Sequence, residues 1–121
     1  METTDLEALT ARIRKFAEKR DWEQYHTPKN LTMALSVEVG ELIEHFQWLS
    51  DEEARAAQQS KTSSEEIPGE LADVAIYLLR LADVLGVDLR QAVERKMDQN
   101  EHRFPAEEVR GRATPGRSGS L

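Results

Sequence analysis

SVEVGELIEHFQW, residues 36–48, and PGELADVAIYLL, residues 68–79, decide how this chain is read. Each is an apolar run interrupted by two acids three residues apart, Glu38 and Glu41 in the first block, Glu70 and Asp73 in the second. Neither block alternates apolar and polar residues as a half-buried strand does, so both read as helices, and an i, i+3 pair on a helix lies on one face. Their aliphatic surroundings predict burial. Carboxylates are rarely buried without a partner, because an unpaired ion in a low-dielectric interior is strongly destabilised. A divalent cation shared by two helices is one way to neutralise them, since hard cations take carboxylate oxygens and Mg²⁺ keeps room for waters and phosphate oxygens. Spacing alone fits ordinary surface acids equally well. The neighbours favour a shared site: Glu38 and Glu41 fall in line with Ala34, His45 and Trp48, and Glu70 and Asp73 with Tyr77. A solvated face would carry more Lys and Arg than these narrow stripes do.

Outward from these blocks the rest of the chain also reads as helix. Residues 4–19 form a first helix, with Thr4 and Glu7 as a capping box and Leu6, Leu9, Ile13, Phe16 and Ala17 on its apolar face. RDWEQYHTPKN, residues 20–30, breaks the period and reads as a loop. A second helix starts at Thr27 or Pro28, a good N-cap followed by a first-turn proline, and is expected to run to Trp48. Residues 50–64 suggest a short amphipathic helix in SDEEARAAQQ and a loop in SKTSS. The third long helix is expected from a Ser63/Glu66 cap, with Pro68 in its first turn, to Leu85 and a stop at Gly86. Its apolar residues lie almost all round, which predicts burial on more than one side, against a subunit partner if not within the chain. Asp88 caps a fourth helix to about Arg103, ended by Pro105. The expected fold is all-α, a bundle of four main helices over residues 1–105, with a disordered basic Gly/Ser/Pro tail at 106–121.

Composition narrows the function. The 121 residues hold 23 Asp and Glu against 16 Lys and Arg, a formal charge of −7, with no basic cluster before the tail. A nucleic-acid surface is disfavoured, since affinity for a phosphate backbone rests on clustered Lys and Arg. An acidic protein handling a phosphate compound needs a bridging cation. With no cysteine there is no disulfide, no thiolate metal site and no cysteine nucleophile. No apolar run approaches a membrane span and no signal-peptide core opens the sequence, so a soluble cytoplasmic protein with no membrane partner is expected. On the fourth helix Lys96, Asn100 and Arg103 form a stripe of donors suited to phosphate and a base edge. A di-iron centre wants a Glu-x-x-His pair on each of two helices. Here the spacing occurs once, at Glu23 and His26 before Pro28, which argues against it.

Glu38-x-x-Glu41, a gap of 28 residues and Glu70-x-x-Asp73 resemble the MazG-like all-α nucleoside triphosphate pyrophosphohydrolases. RDWEQYHTPKNL, EVGELIEHFQW, ELADVAIYLLRLAD and KMDQN are similar to the dCTP pyrophosphatase branch, and the resemblance covers about residues 5–105. It implies hydrolysis of a triphosphate, dCTP or a related or modified pyrimidine nucleotide, to monophosphate and pyrophosphate as nucleotide-pool house-cleaning. It implies Mg²⁺, with Mn²⁺ able to substitute, held by Glu38, Glu41, Glu70 and Asp73. It implies a homotetramer, a dimer of dimers with pockets shared between subunits. By the same resemblance Trp22, His26 and Trp48 line a base and sugar pocket, Tyr77 sits beside the acids, and Lys96 and Asn100 contact nucleotide. Either Glu41, the first candidate, or Glu38 would activate the water. Without the resemblance, Trp22 and Tyr25 read equally as a plug over the bundle end, Trp48 as core, and His26 as a structural loop residue. The alternative function is a non-catalytic helical module that binds nucleotide or oligomerises.

Overall fold

The computed structural model describes residues 5–57 and 61–112, with the backbone alone for residues 61–64. Every regular element among them is helical: α1 Leu6–Lys19, a 3₁₀ turn Glu23–Tyr25, α2 Pro28–Glu44, α3 Asp51–Ala57, α4 Lys61–Leu85, α5 Leu89–Arg103 and α6 Ala106–Val109. The all-α expectation therefore holds, with α1, α2, α4 and α5 as the long helices. No helix among the described residues is long and apolar enough to cross a membrane.

Local chemistry sets most boundaries. Thr27 caps α2, its Oγ1 accepting from the Asn30 amide at 3.1 Å, and Pro28 takes the first turn. Asp88 caps α5 by accepting from Gln91 N at 3.0 Å. Gly86, at φ 70°, ends α4, with its own amide on Asp83 O and the Val87 amide on Ala82 O. That pairing needs a left-handed residue, and glycine takes that conformation without a Cβ clash. Three expectations are corrected. The cap of α1 is Asp5, whose Oδ1 accepts from Ala8 N at 2.8 Å, and Thr4 lies outside the described residues. α2 stops at Glu44 rather than Trp48: the His45 and Phe46 amides reach back three residues, to Leu42 and Ile43, and the chain turns. Ser50 and Glu53 then cap each other's backbone amides at the start of α3. α4 begins at Lys61, ahead of the expected Ser63 cap and within the expected SKTSS loop, so Pro68 lies inside the helix. The described part of the tail holds α6, and residues 113–121 lie outside the described residues.

The fold resolves into two units, Met1–Val87 and Asp88–Leu121. In the first, α2 and α1 both pack on α4. Ala17 of α1, Leu31 of α2, and Leu79 and Ala82 of α4 are buried there. Among the described residues α4 is not covered on every side that its apolar pattern led us to expect buried: Leu71, Ile76, Leu78 and Leu85 are each at least 40% exposed.

Candidate active site

Each acidic pair lies on its own helix, Glu38 and Glu41 on α2 and Glu70 and Asp73 on α4, and the packing of α2 on α4 brings the pairs together. Glu38 reports the convergence. Its carboxyl is pushed above the ordinary carboxylate value, first by burial, then by the charge of Glu41 and a hydrogen bond with it, then by Asp73 and Glu70. Glu38 and Glu70 are half-buried, Glu41 and Asp73 more exposed. Oε2 of Glu38 and Oε2 of Glu70 are buried without a hydrogen-bond partner. His45 Nε2 lies 2.5 Å from that same Glu70 Oε2, close enough to pair if the imidazole is protonated. We read it as an electrostatic contact, because its geometry does not form a hydrogen bond.

Orphaned buried carboxylate oxygens are unfavourable unless a donor or cation reaches them. A set made wholly of hard oxygens fits a Mg²⁺-like ion. Among the described residues no three acidic or histidine side chains already converge on a single coordination point. The two helices thus bring the acids near one another without forming a closed cage.

A second cluster lies at the turn between α1 and α2. Trp22 meets Phe16 edge to face at 5.7 Å, and Arg20 sits over the Phe16 ring at 3.7 Å. The Trp22 and His26 rings are 6.4 Å apart. Asp21, at φ 54°, turns the chain so that the Trp22 amide bonds back to Ala17 O. The structure therefore brings Trp22 and His26 together. Tyr77 is half-buried on α4, one turn beyond Asp73. Trp48 is 86% exposed, which overturns its reading as core, and Trp22 and Tyr25 are too exposed to form a plug. Lys96, Asn100 and Arg103 lie on α5 in the second unit, Asn100 half-buried and the others exposed. Glu23 and His26 fall in and beside the 3₁₀ turn, not on a helix pair.

Sequence reading missed Arg80. It is 6% exposed on α4, donating from Nε to His26 Nδ1 at 3.0 Å and from Nη1 to Asp83 Oδ2 at 3.0 Å. The signal was present: Glu70, Asp73, Tyr77 and Arg80 step by three, four and three along one face, and Arg80 interrupts an aliphatic run.

The MazG-like family model matches residues 33–115, which takes in both acidic pairs. The chain belongs to the MazG-like family. Among relatives, dCTP pyrophosphatase 1 of Bos taurus is 50% identical over 99 residues, 82% of this chain and 59% of that protein. The Homo sapiens protein of the same name is 50% identical over 92 residues, 76% of this chain and 54% of that protein. This MazG-like chain thus spans less than two thirds of the length of those relatives. A pyrophosphatase crystal structure from Archaeoglobus fulgidus superposes with a TM-score of 0.77 at 42% identity, covering 87% of this chain and 96% of that one.

Proposed function

We propose that this MazG-like chain hydrolyses a nucleoside triphosphate, dCTP or a related or modified pyrimidine nucleotide, to the monophosphate and pyrophosphate. The observation that carries the reading is the set of four acids on two packed helices, with Glu38 Oε2 buried without a hydrogen-bond partner and Glu70 Oε2 contacted only by His45. The names of the bovine and human relatives support the substrate class, and that of the Archaeoglobus protein supports the reaction.

Glu38, Glu41, Glu70 and Asp73 would hold Mg²⁺, with Mn²⁺ able to substitute. When bound, the ion supplies positive charge that screens the triphosphate from the acids and stabilises the departing pyrophosphate. Glu41 is the first candidate to orient the attacking water and take its proton as the α–β phosphoanhydride breaks; Glu38 is the second. Trp22 offers a ring face for the base, and His26 a polar edge beside it. Tyr77, one turn from Asp73, borders the acids, and Lys96 and Asn100 are proposed to contact the nucleotide. Trp48, exposed in a single chain, is proposed to complete a pocket shared between subunits of a cytoplasmic homotetramer.

The test is pyrophosphate release from a panel of canonical and 5-modified triphosphates, with Mg²⁺ and with EDTA. Glu41→Gln and Asp73→Asn are expected to cut turnover at least 100-fold while leaving the helical CD signal intact. Full activity in either variant sinks the site assignment. Nucleotide-dependent thermal stabilisation without product would instead identify a binding module.

A further inference from the structure

Among the described residues Arg80 is the buried charged side chain, and the reaction just proposed gives it no task. It lies seven residues beyond Asp73 on α4, so about 10 Å further along the helix axis on nearly the same face. A nucleoside spans such a distance between its phosphates and its base. Arg80 is fixed from both sides: Nε donates to His26 Nδ1 and Nη1 to Asp83 Oδ2, each at 3.0 Å. Asp83 is held in turn by Arg14 of α1, which donates from Nε at 2.8 Å and from Nη2 at 2.6 Å.

A guanidinium has donors and no acceptor, and it keeps its proton in proteins. His26 Nδ1 must therefore accept, which leaves the hydrogen of the neutral ring on Nε2. Protonating Nδ1 would set an N–H against the Arg80 N–H. Burial and then the Arg80 charge hold His26 below the ordinary imidazole value, opposed by Glu23 of its own turn. The charged groups facing the ring are thus Arg80 from α4 and Glu23, with Asp83 and Arg14 behind Arg80. No hydrogen bond among the described residues uses Nε2, and the neighbouring ring is Trp22.

We propose that Arg80 is a positioning residue: braced by Asp83 and Arg14, it locks His26 as the Nε2–H tautomer, so that His26 donates to an acceptor on the edge of the base. The donor is fixed, so the pocket selects a base presenting an acceptor there, a carbonyl oxygen or an unprotonated ring nitrogen, over one presenting an N–H. The nucleotide half of the proposal rests on the triphosphate reading above. The tautomer half does not.

Long-range ¹H–¹⁵N spectra of histidine-labelled protein, with His26 assigned by comparison with His26→Gln, test the lock without turnover. Wild type is expected to show a protonated Nε2 and bare Nδ1, and to resist titration below about pH 6.5, where free imidazole ionises. In Arg80→Met the ring is expected to mix tautomers and titrate near that value. The KM for dCTP is expected to rise about tenfold with kcat changed less than about twofold, as loss of one ground-state hydrogen bond predicts. Arg80→Lys, which keeps a cationic donor, is expected to restore part of the KM. Asp83→Asn, which frees the guanidinium, should move the spectrum and KM in the same direction, and it decides the matter if Arg80→Met does not fold. A wild-type ring protonated on Nδ1, or a folded Arg80→Met with wild-type spectrum and KM, overturns the lock. Turnover of dCTP with a freely mixing tautomer also overturns it, leaving the activity intact. A locked ring in a protein that turns over no triphosphate overturns the nucleotide half together with the proposed activity. With 2′,3′-dideoxy-CTP, Arg80→Met should lose the same tenfold; if the loss vanishes, the acceptor is on the sugar and the base assignment is overturned.

Discussion

Glu38 stands where burial and the charges of three neighbouring acids meet. Burial and the charges of Glu41, Asp73 and Glu70 raise its affinity for a proton in the folded state, so the folded protein binds that proton more tightly than the unfolded chain does. Stability from this group is therefore fully present below the ordinary carboxylate value and lost as pH rises through the raised one. The metal-free protein thus carries a growing penalty as pH rises through that range. Glu38→Gln keeps the shape and removes the charge, so it is expected to raise the Tm of EDTA-treated protein at pH 7.5 by about 2–5 °C. The same variant should blunt the stabilisation that Mg²⁺ gives wild type, because a bound ion stabilises only through differential affinity for the folded state. Differential scanning fluorimetry at pH 5 and 7.5, with and without Mg²⁺, reads both effects, and the difference between variant and wild type should shrink at pH 5. A variant no more stable than wild type at pH 7.5 means that the acids do not share one site. At Asp83 the sign is opposite: hydrogen bonding from Arg14 holds its carboxyl below the ordinary value, so its contribution is lost at acid pH.

At the scale of the element, α4 contains a feature that local chemistry opposes. Pro68 lies inside the helix, where it has no amide to give the carbonyl of residue 64 and its ring crowds the preceding turn. Pro68→Ala restores that bond at the loss of some unfolded-state restriction, for a net gain of about 2 kcal/mol. Calorimetry is expected to show a Tm higher by about 5–10 °C, and an unchanged Tm would mean that the first turns of α4 add nothing to the cooperative unit. The same helix shows what sequence can and cannot disclose. Thr27, Asp88 and Gly86 act through their own side chain or backbone freedom, so their boundaries were legible. The start of α4 was not, because Ser63/Glu66 and Pro68 mimic an N-terminal signature inside a longer helix. The end of α2 was hidden because the apolar pattern runs on through Phe46 to Trp48 with no glycine or proline. The acids were legible from composition and spacing. Arg80 was not, since its partners His26 and Asp83 matter only once α4 lies beside the turn that carries His26.

For the whole molecule the open question is how so little buried apolar surface sustains the fold. Ala17, Leu31, Leu79 and Ala82 are the buried hydrophobics among the described residues, while Met33, Val37 and Ile43 on α2 are each at least half exposed. On α4, Leu71, Leu78 and Leu85 are 52%, 40% and 54% exposed and follow one another at seven-residue intervals. That spacing lays them in a single stripe along the helix, the pattern of a seam that another helix fills. Exposed apolar surface of this kind is expected to be covered by a second copy of the chain. The chain carries a formal charge of −7, so a contact between copies is best made through an uncharged seam. Leu78→Glu puts a carboxylate into the middle of the stripe, where assembly would have to bury it without a partner. Native mass spectrometry and light scattering are expected to find wild type as a homotetramer and Leu78→Glu as smaller species with a lower, concentration-dependent Tm. Pyrophosphate release should fall along with assembly if neighbouring subunits supply part of each pocket. Wild type running as a stable monomer would remove the shared pocket, and Trp48, exposed on a single chain, would lose its proposed role toward the base.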